Sequence, residues 1–98
     1  MNAVFKALSD PTRRRVLQLL RAGPLSAGQI SARFSVSKPT MSAHFAVLKE
    51  AGLVHAEKAG KSVLYHLKRS VLEDALLGFV LSFGLGDEAP APDQEIAR

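Results

Sequence analysis

The chain has 98 residues, a formal net charge of +4, no cysteine and a hydrophobic content of 47%. This length supports one small domain, and the lack of cysteine excludes disulfides, thiolate metal sites and thiol redox chemistry. No apolar run reaches the roughly 18 residues of a membrane span, and the start lacks the layout of a signal peptide. We therefore expect a cytoplasmic protein without membrane insertion.

The charge is divided unevenly along the chain. Residues 1–70 hold 12 Lys and Arg against 3 Asp and Glu, whereas residues 71–98 hold 1 against 6. A basic body of this kind is typical of proteins that bind a polyanion. Charge alone does not separate DNA from RNA or from an anionic lipid surface.

The first two predicted helices occupy the N-terminal quarter. Residues 2–8 form a short helix that must dock on the rest of the domain, because it is too short to be stable alone. Its apolar side is made by Val4, Phe5 and Leu8. Asp10 and Pro11 are typical of an N-cap and a first helical residue, so a second helix is predicted to about Ala22. Arg14 is one of three arginines that oppose its dipole, which indicates an anionic partner such as Asp10 or a phosphate for at least one of them.

A third helix is predicted after the break at Gly23 and Pro24. Ser26 and Gln29 have the spacing of a capping box, which favours a short helix here, and residues 34–37 then form a turn. Helix, tight turn and helix together make the supersecondary unit that reads DNA.

The stretch from Ser35 to Val54 is the one around which the chain is organised. Its helix is predicted to begin at Lys38 or Pro39, with Ser37 or Lys38 as the cap, and to end at Gly52. The helical period directs one apolar stripe inward, made by Met41, Phe45 and Leu48.

The opposite face of this helix is small and polar. Pro39, Thr40 and Ala43 lie on it, with Lys38 and Ser42 on one flank. An ordinary solvated helix would carry Glu and Lys there, whereas Ser and Thr can bond base edges or phosphates and Ala or Pro can contact a thymine methyl. We interpret this face as one that enters the DNA major groove. The alternative is a surface helix that is merely rich in Ser and Ala.

A β-hairpin is predicted after the helix, with strands at residues 53–58 and 62–68. Lys58 and Lys61 lie at its tip, where they can contact phosphates beside the groove; the alternative is that they only improve solubility. His55 and His66 lie on the hairpin too, but a surface histidine pair is more often solvated than bound to a metal.

The last predicted helix spans residues 71–83 and is apolar around most of its circumference, which indicates burial from more than one side. We expect one side to pack on its own domain and the other to pack, with the first helix, on a second copy. The predicted dimerisation residues are Val4, Phe5, Leu8, Leu72, Leu76, Phe79, Val80 and Phe83. The domain is expected to span residues 1–83, and the Gly, Ala, Pro and acid-rich residues 84–98 to form a disordered acidic tail.

Two stretches of this sequence carry a family resemblance. They are Phe5-Lys-Ala-Leu-Ser-Asp-Pro-Thr-Arg-Arg-Arg-Val-Leu17, and the Met-Ser-x-His-Phe-x-x-Leu-Lys-x-Ala-Gly-Leu-Val pattern within residues 35–54. Over about residues 1–68 the chain resembles the ArsR/SmtB family of bacterial winged helix-turn-helix repressors, in particular the cysteine-free autorepressor branch of the SdpR type. The resemblance implies a mainly α fold of four helices, a two-stranded β-hairpin wing and a fifth helix. It also implies a homodimer, built on the first and last helices, that binds a pseudo-palindromic promoter operator and blocks transcription.

The resemblance also assigns roles to residues by motif position. Those that fall where the family reads or grips DNA are Ser37, Lys38, Pro39, Thr40, Ser42 and Ala43. His44 fills a histidine position of the family and lies beside this face, nearer the core stripe, where it either orients the helix or touches a phosphate.

The chain departs from the metal-sensing members of the family. Their cysteine-rich box aligns with Leu25 to Ser31, which offers no ligand suited to a soft metal. The last helix offers only Glu73 and Asp74, which are adjacent and so point to different faces. We therefore expect no metal and no cofactor, and the effector that releases DNA, whether a small molecule or a sequestering protein, stays open.

The predicted function is that of a sequence-specific DNA-binding repressor that acts on its own promoter. The alternative is a winged-helix module that binds protein without reading DNA. RNA binding is disfavoured because the phenylalanines lie on apolar stripes rather than on an exposed stacking surface. An enzyme is not expected, since no nucleophile elbow, phosphate loop or metal triad is present.

Overall fold

The computed structural model describes residues 2–85 and contains five helices and a small sheet. In chain order the elements are α1 (Asn2–Leu8), α2 (Pro11–Leu19) with a 3₁₀ turn (Leu20–Ala22), β1 (Leu25–Ser26), α3 (Ala27–Ser31), α4 (Lys38–Glu50), β2 (Val54–Ala59), β3 (Ser62–Leu67) and α5 (Arg69–Ser82). The predicted winged helix-turn-helix fold is confirmed. The predicted acidic tail lies, from residue 86 onward, outside the described residues.

The helix starts follow the capping chemistry of the sequence. The Asp10 carboxylate accepts hydrogen bonds from the amides of Thr12 and Arg13 at 2.8 and 3.1 Å. Desolvation alone would raise the pKa of Asp10, but these amide bonds, with the nearby His44 and Arg13 side chains, outweigh it and hold the pKa below its ordinary value. In α3, Ser26 and Gln29 form the reciprocal capping box predicted from their spacing.

The core lies between the helices and the inner face of the sheet, and it fixes how α4 is rotated. Met41 and Leu48 are 1% and 0% exposed, and the Phe45 ring stacks on Tyr65 with centroids 4.5 Å apart. The predicted inward stripe of α4 is therefore confirmed. The other fully or nearly fully buried residues are Val4, Ala7, Val16, Leu17, Leu20, Ile30, Leu53 and Val54.

The sheet has three antiparallel strands in the order β1-β3-β2. β2 and β3 form the predicted hairpin, in which Val54 pairs with Leu67 and Ala59 with Ser62. β1 is an addition to the predicted elements: Leu25 pairs with Tyr65, which joins the segment before α3 to the wing. A strand of two residues is too short to show an alternating pattern in sequence.

Two glycines in the described region provide a matched test of this backbone. Gly52, after α4, has φ of +75°, where a side chain is strained, whereas Gly28 lies in α3 and a Cβ added there would meet only the Ser26 hydroxyl at 3.9 Å. We expect Gly52→Ala to lower the free energy of unfolding by about 1 kcal/mol or more. Gly28→Ala should raise it by roughly 0.5–1 kcal/mol.

Urea unfolding of both variants at equal protein concentration measures these changes. A Gly52→Ala variant as stable as the parent protein would show that the left-handed turn after α4 does not form in solution.

Candidate nucleic-acid interface

The N-terminal half of α4 presents a continuous exposed face. It brings together six of the residues that the sequence assigns to DNA binding, all of them exposed: Ser37, Lys38, Pro39, Thr40, Ser42 and Ala43. Met41 points into the core, and Pro39 and Ala43, each two positions from it, project to nearly the opposite side of the helix. The face is small, carries one cation and has no acidic side chain.

The hydroxyls on this face differ in their availability. Ser37 caps α4, since its Oγ accepts from the Thr40 amide at 3.3 Å and donates to the Thr40 Oγ1 at 2.9 Å. Within residues 2–85, the side chains of Lys38 and Ser42 make no hydrogen bond or ion pair. Lys38 and Ser42 therefore have donors available to a ligand without breaking a contact of the fold.

His44 is not part of this exposed face. Its side chain is only 13% exposed, and its Nε2 lies 3.9 Å from the Asp10 carboxylate. Its Nδ1 lies 3.1 Å from Nη1 of Arg13, and because a guanidinium only donates, Nδ1 is the acceptor and the ring proton is on Nε2. His44 therefore fastens α4 to α2 from the inner side, which fits the alternative that it orients the helix; a contact with a phosphate stays a prediction.

Arg13 links three helices. Its Nε donates to the Ala7 carbonyl at 2.9 Å and its Nη2 to the Lys6 carbonyl at 3.0 Å. Its Nη1 donates to Nδ1 of His44 on α4 at 3.1 Å. These carbonyls are in the last turn of α1, and the Lys6 carbonyl also accepts from the amide and the hydroxyl of Ser9 at 3.2 and 2.7 Å. The hydrogen bonds of Arg13 thus go to backbone carbonyls and one imidazole, while its charge lies near enough to Asp10 to help lower the pKa of that carboxyl; a phosphate partner for the arginines stays a prediction.

Arg14 is placed in a similar way. Its Nη1 donates to the Leu8 carbonyl at 2.7 Å, so it lies at the end of α1 and not on the outer face of α4. Sequence analysis put it among the DNA-binding residues, and the structure does not bring it together with them. The signal for both arginines was available in principle, because a helix that ends before a cap leaves carbonyls in need of donors.

The wing carries its two lysines at the tip. Lys58 and Lys61 are exposed on either side of the turn at Gly60, which has φ of +62°. Farther along the hairpin, the His55 and His66 rings lie across the strands with centroids 5.9 Å apart, and His66 Nε2 lies 2.8 Å from Glu57 Oε1. Across residues 2–85 there is no cluster of three or more side chains suited to holding a metal ion.

The exposed surface of α5 is strongly apolar. This helix has no buried residue in the protomer. Leu76 and Phe79 on the helix are 41% and 43% exposed, and Phe83 at its C-cap is 65% exposed. Phe79 contacts both Phe5 of α1 and Phe83, with ring centroids 4.8 and 5.0 Å apart. No helix among the described residues is long and apolar enough to cross a membrane.

The predicted dimerisation residues are only partly brought together. Phe5, Leu8, Leu72 and Val80 are half-buried, and Leu76, Phe79 and Phe83 are exposed. Val4 is 5% exposed and belongs to the core of the protomer. α1 thus directs Val4 into the core of the protomer, and a part for Val4 in the dimer interface stays a prediction.

Comparison with known proteins decides the family. A profile described as a helix-turn-helix domain matches residues 8–57. The chain is 43% identical over 83 residues to the transcriptional repressor SdpR of Bacillus subtilis, an alignment that covers 85% of this chain and 91% of that one. An ArsR family transcriptional regulator of known crystal structure superposes with a TM-score of 0.77 at 25% identity, covering 85% of this chain and 91% of that one. The chain belongs to the ArsR family of winged helix-turn-helix transcriptional regulators.

A further ArsR-family comparison concerns assembly. The solution structure of the homodimeric winged helix-turn-helix DNA-binding domain of a possible ArsR-family regulator from Mycobacterium bovis has a TM-score of 0.68 to this chain. It is 29% identical, and the match covers 83% of this chain and 76% of that domain.

Membership in the ArsR family confirms the predicted DNA-binding transcriptional regulator over a module that binds only protein. The relatives are regulators of transcription and not enzymes, which agrees with the prediction that this chain is not an enzyme.

Proposed function

We propose that this ArsR-family protein is a homodimeric repressor that reads a pseudo-palindromic operator in a promoter, its own promoter included. The observation that carries the proposal is the exposed face of α4, which is small, free of acids and bordered by Lys38 and Ser42. Repression follows from occupancy of the operator, since a bound dimer excludes other proteins from the same stretch of DNA.

In the proposed complex, the N-terminal half of α4 lies in the major groove. Ser42 donates to a base edge or a phosphate and Lys38 to a phosphate or a guanine, while Pro39 and Ala43 contact thymine methyl groups. The Ser37 hydroxyl donates a hydrogen bond to the Thr40 hydroxyl in the free protein. We therefore assign both residues to stabilising the first turn of α4, where their oxygens can also form hydrogen bonds with the DNA at the edge of the face. His44 and Arg13 support the helix from behind.

The wing extends the contact along the DNA backbone. Lys58 and Lys61 are at the tip of the hairpin that directly follows α4, and they have no ion-pair partner within residues 2–85. We assign them to phosphates beside the groove that α4 enters. Such contacts add affinity that falls with salt but carry no sequence information.

The dimer is proposed to form on the apolar surface of α5 together with Phe5 of α1. Exposed phenylalanines and leucines in such a patch mark an interaction surface, and a second copy is the self-complementary occupant of a two-fold interface. Two copies of α4 about 34 Å apart would enter successive major grooves on one side of the DNA.

The finer parts of the proposal concern location and release. The repressor acts in the cytoplasm, where its promoter lies. Release requires an effector or a sequestering protein that disfavours the dimer with the correct spacing, because a ligand shifts an equilibrium only by its differential affinity for the two states.

The test is binding of the purified full-length protein to its own upstream promoter fragment and to a scrambled fragment of equal length, titrated across salt. We expect specific retention at moderate salt. The double variant Lys38→Ala/Ser42→Ala should lower affinity for the promoter fragment about thirtyfold, because it removes one charged and one hydroxyl donor from the reading face.

Lys49→Ala is the matched control, since Lys49 is an exposed cation at the opposite end of α4. It should change affinity only slightly. Equal binding of both fragments with a steep salt slope would reduce the protein to a non-specific DNA binder. Binding of neither fragment would contradict the proposal.

A further inference from the structure

A cavity of about 340 Å³ lies where α3, α4 and β3 meet. Its apolar walls are formed by Ala27 of α3, Met41 and Phe45 of α4, and Val63 of β3. This volume lies near the lower end of the range of about 300–1,000 Å³ that is typical of small-molecule sites. None of the residues that line the cavity belongs to the surface of α1 and α5 that is assigned to the dimer.

Tyr65 of β3 also lines this cavity, and its hydroxyl has no partner in the fold. Its backbone lies between β1 and β2, and one face of its ring is covered by Phe45. The rest of the ring, with the hydroxyl, is therefore what lines the cavity. Tyr65 is only 8% exposed, yet its hydroxyl makes no hydrogen bond with another group in residues 2–85.

An unpaired hydroxyl at this depth is unusual, because buried polar groups nearly always have a hydrogen-bond partner. Burial raises the pKa of the Tyr65 hydroxyl above its ordinary value, so at neutral pH the group is protonated and can donate. A donor without a partner in the wall of a cavity indicates a place for a ligand that accepts a hydrogen bond.

Three further donors line the same cavity. Lys38 and Ser42 are four positions apart on α4, so they lie next to each other along one wall, and Ser31 ends α3 on the other side. The three side chains make no hydrogen bond or ion pair within residues 2–85. In the described part of the chain, no acidic side chain lines the cavity. The polar groups therefore suit an anion, and the apolar walls suit a hydrocarbon body.

We propose that this cavity binds a small aromatic carboxylate with one ring, and that the bound ligand competes with DNA. The ring lies against Met41 and Phe45, since a thioether and an aromatic side chain are favourable neighbours of a flat ring. The carboxylate accepts hydrogen bonds from Tyr65 and Ser42, while Lys38 at the opening supplies the opposite charge.

The competition follows from two shared side chains. Lys38 and Ser42 line the cavity and are also the available donors of the reading face. A ligand that occupies them binds the free protein and not the DNA-bound protein, so it lowers the affinity for DNA. This competition rests on the proposed function, whereas binding of the ligand does not.

The first experiment is an NMR titration of the isotope-labelled full-length protein with benzoate and, separately, with the uncharged benzyl alcohol. Benzoate should shift the amide signals of Ser31, Ser42 and Val63, and it should bind about tenfold more tightly than benzyl alcohol. Lys38→Gln should lower the affinity for benzoate about fivefold and leave the affinity for benzyl alcohol unchanged.

Tyr65→Phe tests the unpaired hydroxyl. It should lower the affinity for benzoate about fivefold, yet leave the melting temperature unchanged or raised, because the hydroxyl that is lost has no partner in the free protein. Full benzoate affinity in Tyr65→Phe would overturn the assignment of this hydroxyl to the ligand.

The matched control for Lys38→Gln is Lys49→Gln, which removes the same charge from the opposite end of α4. It should leave the affinity for benzoate unchanged. Equal binding of benzoate and benzyl alcohol, or equal losses in the two lysine variants, would overturn the anionic assignment. Absence of benzoate binding to the parent protein would overturn the site.

The second experiment repeats the promoter titration with benzoate present at about ten times its dissociation constant. Competition should lower the affinity for the promoter fragment at least about tenfold, because only the ligand-free fraction of the protein binds DNA. An unchanged affinity for DNA would overturn the competition. A parent protein that binds no promoter DNA would contradict the proposed function and leave the benzoate site standing.

Discussion

Phe79→Asp is expected to convert the protein from a dimer to a monomer and to lower its operator affinity at least about a hundredfold. The proposed interface places Phe79 in an apolar contact between copies, where a carboxylate would be buried without a partner. The monomer would keep its reading face but would lose the second half-site, whose contribution to avidity lies at about a hundredfold to ten-thousandfold. Sedimentation velocity and a titration of the operator fragment measure the two effects.

Leu81→Asp is the matched control for this change. Leu81 is as exposed as Phe79, at 46% against 43%, and lies two residues further along α5, so it points to nearly the opposite side of the helix. It should leave both the dimer and its DNA affinity intact. If Leu81→Asp separates the copies and Phe79→Asp does not, the interface is on the other side of α5.

Leu48→Ala is expected to lower the free energy of unfolding by about 3 kcal/mol. Leu48 is fully buried in the last turn of α4, and truncation of such a side chain removes apolar burial and leaves a cavity. For a domain of this size, the corresponding fall in melting temperature is roughly 12–24 °C. Differential scanning calorimetry at fixed protein concentration measures it.

The control for Leu48→Ala is Val36→Ala, since Val36 is an apolar residue that is 39% exposed in the turn before α4. Its effect should stay within about 0.5 kcal/mol. A loss for Leu48→Ala below about 1 kcal/mol would mean that α4 is not anchored through this stripe, and the assignment of its outer face would fail with it.

Much of the fold could be predicted because its determinants are local. Asp10 and Ser26 are caps whose bonds reach only two or three residues along the chain, and the period of α4 fixes its inner and outer sides. The exposed reading face follows from that period alone. Sequence therefore placed Lys38 and Ser42 correctly on the surface, although their contacts with DNA stay a proposal.

The contacts that sequence analysis missed join residues far apart in the chain. The bond between Arg13 and His44 spans 31 positions. The end of α1 indicates that its carbonyls need donors, but it does not show which of the three neighbouring arginines also reaches α4. Sequence did not show that the protomer itself buries Val4, because α1 is short and apolar on a broad side, so its period does not settle which residues its own domain buries.

The pairing of β1 with β3 has a mechanical consequence. Leu25 and Ser26 hydrogen-bond to the wing directly before α3 begins, while Arg13 and His44 tie α4 to the first two helices. The strand pairing holds the wing against the segment before α3, and the contact between Arg13 and His44 holds α4 against α2. The wing therefore cannot move away from the helix-turn-helix without breaking strand pairing. Each protomer would therefore bind its half-site as one rigid body. A change in the spacing of the two α4 helices would then have to occur at the interface between the two copies.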